Sequence, residues 1–200
     1  MFPGNRMYMD EKQKRRKKIL GRLSNILFFG LLLLFVFSTD AKSWLLRQMI
    51  ATGLFKPKIE KAEKHINAQP ASPFYFRDEN GNTVSTNEMK GKVVFINFWA
   101  SWCPPCRAEM PSLSTLYNKL KEDERFVFLF LNEDEDASKA KNFLQKNNYP
   151  FPLISAEGRV PADIFSGTLP TTVVLNKEGK IVMKHEGLAG YSGDDFIKQE

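Results

Sequence analysis

The chain has 200 residues, 42% of them hydrophobic, with 29 Lys and Arg against 23 Asp and Glu and a formal net charge of +6. That length supports one well-cored domain but not several. The 2 cysteines exclude a multiply bridged secreted scaffold.

The charge is unevenly divided. Residues 1–69 hold 14 Lys and Arg against 5 Asp and Glu, a net +9, while residues 70–200 hold 15 against 18, a net −3. A nucleic-acid-binding domain carries its positive excess on the folded part. Here the excess sits in the N-terminal third, so no nucleic-acid partner is expected and a membrane surface is.

Residues 1–18 are polar and end in Lys12-Gln13-Lys14-Arg15-Arg16-Lys17-Lys18, a cytoplasmic basic segment with nothing to bury and no means of folding alone. Residues 19–38 read as a transmembrane signal anchor. Ile26 to Phe37 is apolar apart from Gly30, a bilayer core takes about 20 helical residues, and Arg22 is placed to snorkel to the headgroups. By the positive-inside rule the N-terminus stays in the cytoplasm and everything after the span lies outside. The rival is a cleaved signal peptide, with Thr39 and Ala41 as small residues before the cut. The apolar run is longer than an ordinary signal-peptide core, which favours the anchor.

Residues 39–69 form a juxtamembrane tether. Trp44, Leu45, Met49, Ile50 and Leu54 recur at helical spacing among basic residues. This fits an amphipathic helix in the interface with Trp44 at headgroup level, and equally a plain spacer helix. His65 reads as a solvated residue of this tether.

Residues 70–200 have the pattern of one α/β domain. Phe74–Arg77 and Thr83–Val84, separated by Asp78-Glu79-Asn80-Gly81-Asn82, predict a hairpin. A turn over Asn87–Lys92 leads to the apolar, β-branched run Val93–Phe98, a buried strand. Trp99-Ala100-Ser101-Trp102-Cys103-Pro104-Pro105-Cys106 then delivers a C-x-x-C dithiol to the start of a helix that runs to about Lys121. A helix N-terminus carries partial positive charge and free N–H groups, which stabilise a thiolate. Cys103 is therefore the expected attacking thiol, and Cys106, one turn on, the expected resolving thiol. The two prolines fix φ near the helical value and remove two N–H donors. Leu113, Leu116, Tyr117 and Leu120 mark the buried face of this helix, and Pro111 inside it predicts a kink.

Residues 97–111, Asn-Phe-Trp-Ala-Ser-Trp-Cys-Pro-Pro-Cys-Arg-Ala-Glu-Met-Pro, resemble the active-site segment of the thioredoxin superfamily, specifically its membrane-anchored TlpA/ResA-like branch. Asn97 stands where thioredoxin has a buried aspartate, and Glu109 stands three residues after the second cysteine, as is usual in that branch. The resemblance implies a thioredoxin-like α/β fold, a central mixed β-sheet flanked by helices, and a redox-active disulfide between Cys103 and Cys106 with no other cofactor. It also implies that Glu109 accepts and donates protons for the pair. The spacing alone puts Glu109 on roughly the same helix face as Cys106, which permits that role.

Phe126–Leu131 is a second unbroken apolar run and predicts a buried parallel strand. Asn132-Glu133-Asp134-Glu135-Asp136 lacks the central glycine and terminal glutamate of a calcium loop, so it reads as a solvated loop opening the helix Ala137–Asn147. Phe151–Ile154 predicts a short extended segment and Val160–Phe165 a short helix. In Gly167-Thr168-Leu169-Pro170-Thr171-Thr172-Val173-Val174-Leu175 the proline belongs at the start of a strand. The resemblance makes Pro170 a cis proline facing the dithiol, with Trp102, Leu169 and Pro170 binding an extended substrate. Asn176–Lys180 turns the chain into an outer strand, Ile181–Glu186, with His185 as a structural or surface residue, and a last helix is expected from about Ser192.

A zinc site needs two more ligands than the two cysteines, and two distant histidines do not supply them. Arg107 after Cys106 rules out the haem-attachment motif C-x-x-C-H. The resemblance thus implies an oxidoreductase on the periplasmic side of a bacterial inner membrane, reducing disulfides in exported proteins. Apocytochrome c during maturation is one such substrate, and a membrane electron donor would resupply the dithiol. A disulfide-forming oxidase using the same residues and a redox-inert tethered binding module are the alternatives.

Overall fold

The computed structural model describes the backbone of residues 4–52 and 70–191, and side chains within 17–52 and 70–191. The chain divides into two compact units, Met1–Lys42 and Ser43–Glu200. Helix α1 (Gly4–Phe37) contains Lys17–Phe37, which is long and apolar enough to cross a membrane by length and composition, and whose side chains are exposed. The basic block was expected to be unfolded on its own, yet it is helical here. Lys and Arg are good helix formers, and an adjoining apolar helix removes the cost of nucleation. Helix α2 (Thr39–Ala51) covers the first part of the predicted juxtamembrane helix. Leu54, His65 and the helix expected from Ser192 lie outside the described residues.

The domain then runs through β1 (Tyr75–Arg77), β2 (Thr83–Ser85), β3 (Val93–Trp99), α3 (Pro104–Leu120), β4 (Phe126–Asn132), α4 (Ala137–Lys146), β5 (Ser155–Glu157), β6 (Thr171–Leu175) and β7 (Ile181–Glu186). The predicted hairpin forms between β1 and β2, and Gly81 turns it at φ +83°, where a side chain is disfavoured. A four-stranded mixed sheet in the order β4-β3-β6-β7 is the centre of the fold. β3 pairs parallel with β4 along its whole length, Val93 opposite Phe126 and Trp99 opposite Asn132, and antiparallel with β6 on its other side.

Alternation along β3 sends its residues to two cores. Phe95 and Trp99 join α3 (Cys106, Met110, Leu113, Leu116, Leu120), α4 (Ala140, Phe143, Leu144) and Phe128 and Phe130 of β4. Val94, Ile96 and Phe98 join Leu129, Leu131, Val173, Leu175, Phe74, Phe76, Ile154 and Ile164. Helices therefore cover one face of the sheet. The second face is covered by the small sheet β2-β1-β5 and the segment around Ile164.

Two local expectations change. The extended segment predicted at 151–154 is a strand only from Ser155, where β5 adds antiparallel to β1, while Ile154 makes a single bridge to Leu131. Ser155-Ala156-Glu157 carries no apolar alternation, and its pairing with β1, where Ala156 faces Phe76 from 80 residues along the chain, is what makes it β. The helix predicted at 160–165 reduces to one turn in which Ile164 N and Phe165 N donate to the Pro161 carbonyl.

Helix α3 continues through Pro111. A proline has no N–H, so the carbonyl four residues back, that of Arg107, loses its helical donor. Arg47 of α2 fills the vacancy, its Nη2 donating to Arg107 O at 3.1 Å.

The second core rests on Phe98, fully buried and stacked on Phe165 with ring centroids 4.2 Å apart. Phe98→Ala is expected to cost about 3–5 kcal/mol, read by denaturant unfolding of the detergent-solubilised chain. A loss under about 1 kcal/mol would mean that this face is not a packed core.

Candidate active site

The end of β3 and the start of α3 are joined by a tight loop in which Cys103 N donates to Ala100 O at 3.2 Å. Cys103 is the N-cap of α3, with Pro104 and Pro105 as the first helical residues. Neither proline has an N–H, so the first free donor of the helix is Cys106 N, and it points at Cys103 Sγ, 3.3 Å away. Cys103 and Cys106 are joined by a disulfide. The helix terminus thus directs its one available local donor at the sulfur of the first cysteine, an arrangement that would stabilise a thiolate there once the bond is open. Both cysteines are buried, whereas Trp102 beside them is 60% exposed.

One turn of α3 beyond Cys106, Glu109 opens a buried polar cluster. Glu109, on α3, has 0% exposure. Its Oε1 accepts from Ala189 N, while Oε2 has no hydrogen-bond partner among the described residues. Burial pushes its pKa well above the ordinary carboxyl range, against the smaller opposing effects of the Ala189 N–H bond and the nearby Asn97 amide. Asn97 in turn donates through Nδ2 to Thr172 Oγ1 at 3.0 Å, and Tyr191 OH donates to the same oxygen at 2.7 Å. The Tyr191 hydroxyl pKa is pushed well up by burial and then by the nearby charge of Glu109.

The Leu169–Pro170 peptide bond is cis. The Pro170 carbonyl accepts from Gly187 N at 2.8 Å, which ties the start of β6 to the end of β7. Leu169 packs against both cores, and because Thr171 at the start of β6 pairs with Phe98 near the end of β3, the two stretches singled out in the sequence lie at the same end of the sheet. Trp102 stands exposed at the same loop. His185 is half-buried, its Nε2 3.4 Å from Leu188 O. Among the described residues no three His, Cys, Asp or Glu side chains gather in a way that would hold a metal ion.

Sequence reasoning did not find Thr172, Ala189 or Tyr191. Thr172 looks like an ordinary β-branched strand residue, and Tyr191 follows the last strand with no periodicity around it. Nothing local marks either one, because Thr172 meets Asn97 of β3, and Tyr191 meets Thr172 of β6 and Phe95 of β3.

The Redoxin family model matches residues 66–190. A relative from Bacillus cereus (strain ZK / E33L), named thiol-disulfide oxidoreductase ResA, is 36% identical over 146 residues, covering 70% of this chain and 82% of that protein. Its namesake in Bacillus thuringiensis (strain Al Hakam) is 34% identical over 159 residues, 79% of this chain and 86% of the relative. Among solved structures, a thiol:disulfide interchange protein from Bacteroides sp. superposes with a TM-score of 0.56 at 26% identity, covering 66% of this chain and 88% of its own. A DsbF homologue from Corynebacterium diphtheriae superposes with a TM-score of 0.54 at 25% identity, covering 68% and 87%.

The raised pKa of Glu109 has a consequence for stability. Between its ordinary value of 4.5 and its higher folded value, the folded protein holds a proton that the unfolded chain has released. This contribution to stability is present in full below about pH 4.5 and is lost as pH rises through the folded value. Glu109→Gln is expected to flatten that decline in denaturant titrations of the oxidised protein between about pH 4 and 8. Identical slopes in both proteins would assign the titration to another group.

Proposed function

The chain belongs to the Redoxin family as a ResA-like thiol-disulfide oxidoreductase of the thioredoxin superfamily, and from that membership we propose that it reduces disulfides in exported proteins through Cys103 and Cys106. The observation that carries this reading is the pair itself, placed at the N-terminus of α3 with Cys106 N directed at Cys103 Sγ.

In the proposed cycle the Cys103 thiolate attacks one sulfur of a substrate disulfide. The substrate S–S bond breaks, a mixed disulfide to Cys103 forms, and the departing substrate sulfur leaves as a thiolate that takes a proton. Cys106 then gives its proton to the Glu109 carboxylate and attacks Cys103 Sγ, which releases the second substrate thiol. Two electrons have passed to the substrate and the Cys103–Cys106 disulfide remains. A carboxyl whose pKa is raised by burial is suited to hold and return that proton near neutral pH. Trp102 and the Leu169-Pro170 corner would flank the substrate segment, with Leu169 offering main-chain hydrogen bonds as a strand edge does.

The place of action follows from the N-terminal third of the chain. Residues 19–38 would anchor the protein in a bacterial inner membrane, and the basic residues before them would keep the N-terminus in the cytoplasm and the catalytic domain in the periplasm. A domain on that side, cut off from cytoplasmic reductants, needs a membrane electron donor to return its disulfide to the dithiol. Apocytochrome c, whose cysteines must be reduced before haem attachment, is a substrate that fits this placement.

Equilibrating the full chain in detergent against defined glutathione or dithiothreitol buffers tests the direction of electron flow. A potential near thioredoxin's, about −270 mV, is the expected result, whereas one near about −120 mV would mean an oxidant built from the same residues. Cys103→Ser is expected to abolish disulfide reduction, and Cys106→Ser to accumulate a mixed disulfide visible on non-reducing gels. Turnover unchanged in Cys103→Ser would remove the pair from the chemistry.

A further inference from the structure

Asp134 and Asp136 both follow β4 in an acidic run that reads from sequence as a solvated loop. Asp136 is the N-cap of α4, accepting from Ser138 N at 2.9 Å. Asp134 does something else. Its Oδ2 accepts from Ser101 N at 2.8 Å and its Oδ1 from the Ser101 hydroxyl at 2.7 Å. Asn132 Nδ2 donates to Oδ2 at 2.6 Å, and Asn132 Oδ1 accepts from Asp134 N at 3.2 Å, so the carboxylate is itself held in place. The same segment grips the loop one step earlier, where Glu133 N donates to Trp99 O at 2.9 Å. Ser101 lies two residues before Cys103, between the end of β3 and the cap of α3.

We infer that Asp134 is a positioning residue for the dithiol, which acts through Ser101 to fix the turn that sets Trp102 and Cys103 against the start of α3. The inference rests on reading Cys103 and Cys106 as an exchanging pair. While the disulfide is closed, the bond itself restrains the loop. Once it opens, the contacts from Trp99 O and Ser101 to the segment after β4 add to the bonds of the Cys103 backbone to Ala100 O and Arg107 N in holding Cys103 within reach of Cys106. Charge-assisted hydrogen bonds to a carboxylate are stronger than neutral ones, and a thiol held in reacting geometry closes faster and more favourably than one that wanders. Without the carboxylate, the open form gains freedom that the closed form cannot, so the equilibrium moves toward the dithiol.

The test measures the equilibrium constant between each full-length chain in detergent and the glutathione couple, together with the denaturant midpoints of both redox forms. For Asp134→Ala the constant for disulfide formation is expected to fall roughly three- to tenfold. Ser101→Ala, which keeps the backbone bond, should shift it less and in the same direction, and adding it to Asp134→Ala should change little further. Asp134→Asn preserves the shape and supplies an evaluable variant should the alanine chain not fold. A wild-type chain that equilibrates with glutathione, while the Asp134 and Ser101 variants lose stability equally in both redox forms and keep its constant, overturns the positioning role alone. A wild-type pair that never equilibrates overturns the exchange reading and this inference with it.

Discussion

Pairing along β3 is the constraint on which the rest of the domain depends. This strand is bonded on both sides, parallel to β4 and antiparallel to β6, and six of its seven residues are buried. A strand so enclosed has one workable register, because a slip by one residue would exchange Phe95, Asn97 and Trp99 for Val94, Ile96 and Phe98 between the two cores. The register in turn sets where β3 ends and where α3 begins. The dithiol stands at a fixed point above the sheet because Trp99 cannot move.

The same register places Asn97, a polar side chain with 0% exposure, under the first turns of α3. A buried polar group is tolerated when it is hydrogen-bonded, and Asn97 meets that need through Nδ2, which donates to Thr172, while its Oδ1 has no hydrogen-bond partner among the described residues. Tyr191 joins through Thr172, and Ala189 N closes the set on Glu109. This is a small polar island inside an aromatic core in which Phe95, Phe128, Phe130 and Phe151 pack against Tyr117 and Tyr191. Its low polarity raises the proton affinity of Glu109. Stability and proton chemistry are therefore set by the same burial.

Helix α3 carries two departures from ideal helix geometry. Its first N–H donors are missing because of Pro104 and Pro105, and the Arg107 carbonyl lacks a helical donor because of Pro111. The first leaves Cys106 N to serve Cys103 Sγ, and the second leaves a carbonyl that Arg47 of α2 occupies. Prolines in this helix thus make openings that other groups fill, one with Cys103 Sγ and the other with Arg47 of α2.

The amino-acid sequence by itself determined the features that depend on neighbours along the chain. Apolar continuity marked the candidate span in α1 and the strands β3 and β4. Glycine and asparagine marked the β1–β2 and β6–β7 turns, and C-x-x-C after a buried strand marked the dithiol at a helix start. Glu109 and Pro170 were singled out by the resemblance of their segments to the thioredoxin superfamily, and i, i+3 spacing and a proline heading a strand were only compatible with those places. Tertiary structure alone decided what depends on contacts between distant residues. β5 is a strand because β1 offers it an edge, Asp134 grips Ser101 across 33 residues, and Ala189 N meets Glu109 across 80. Local conformation follows from backbone sterics and side-chain periodicity, which a short window of residues contains. The partners of a buried carboxylate or of a loop follow from how the sheet and helices pack, and no short window of sequence contains that.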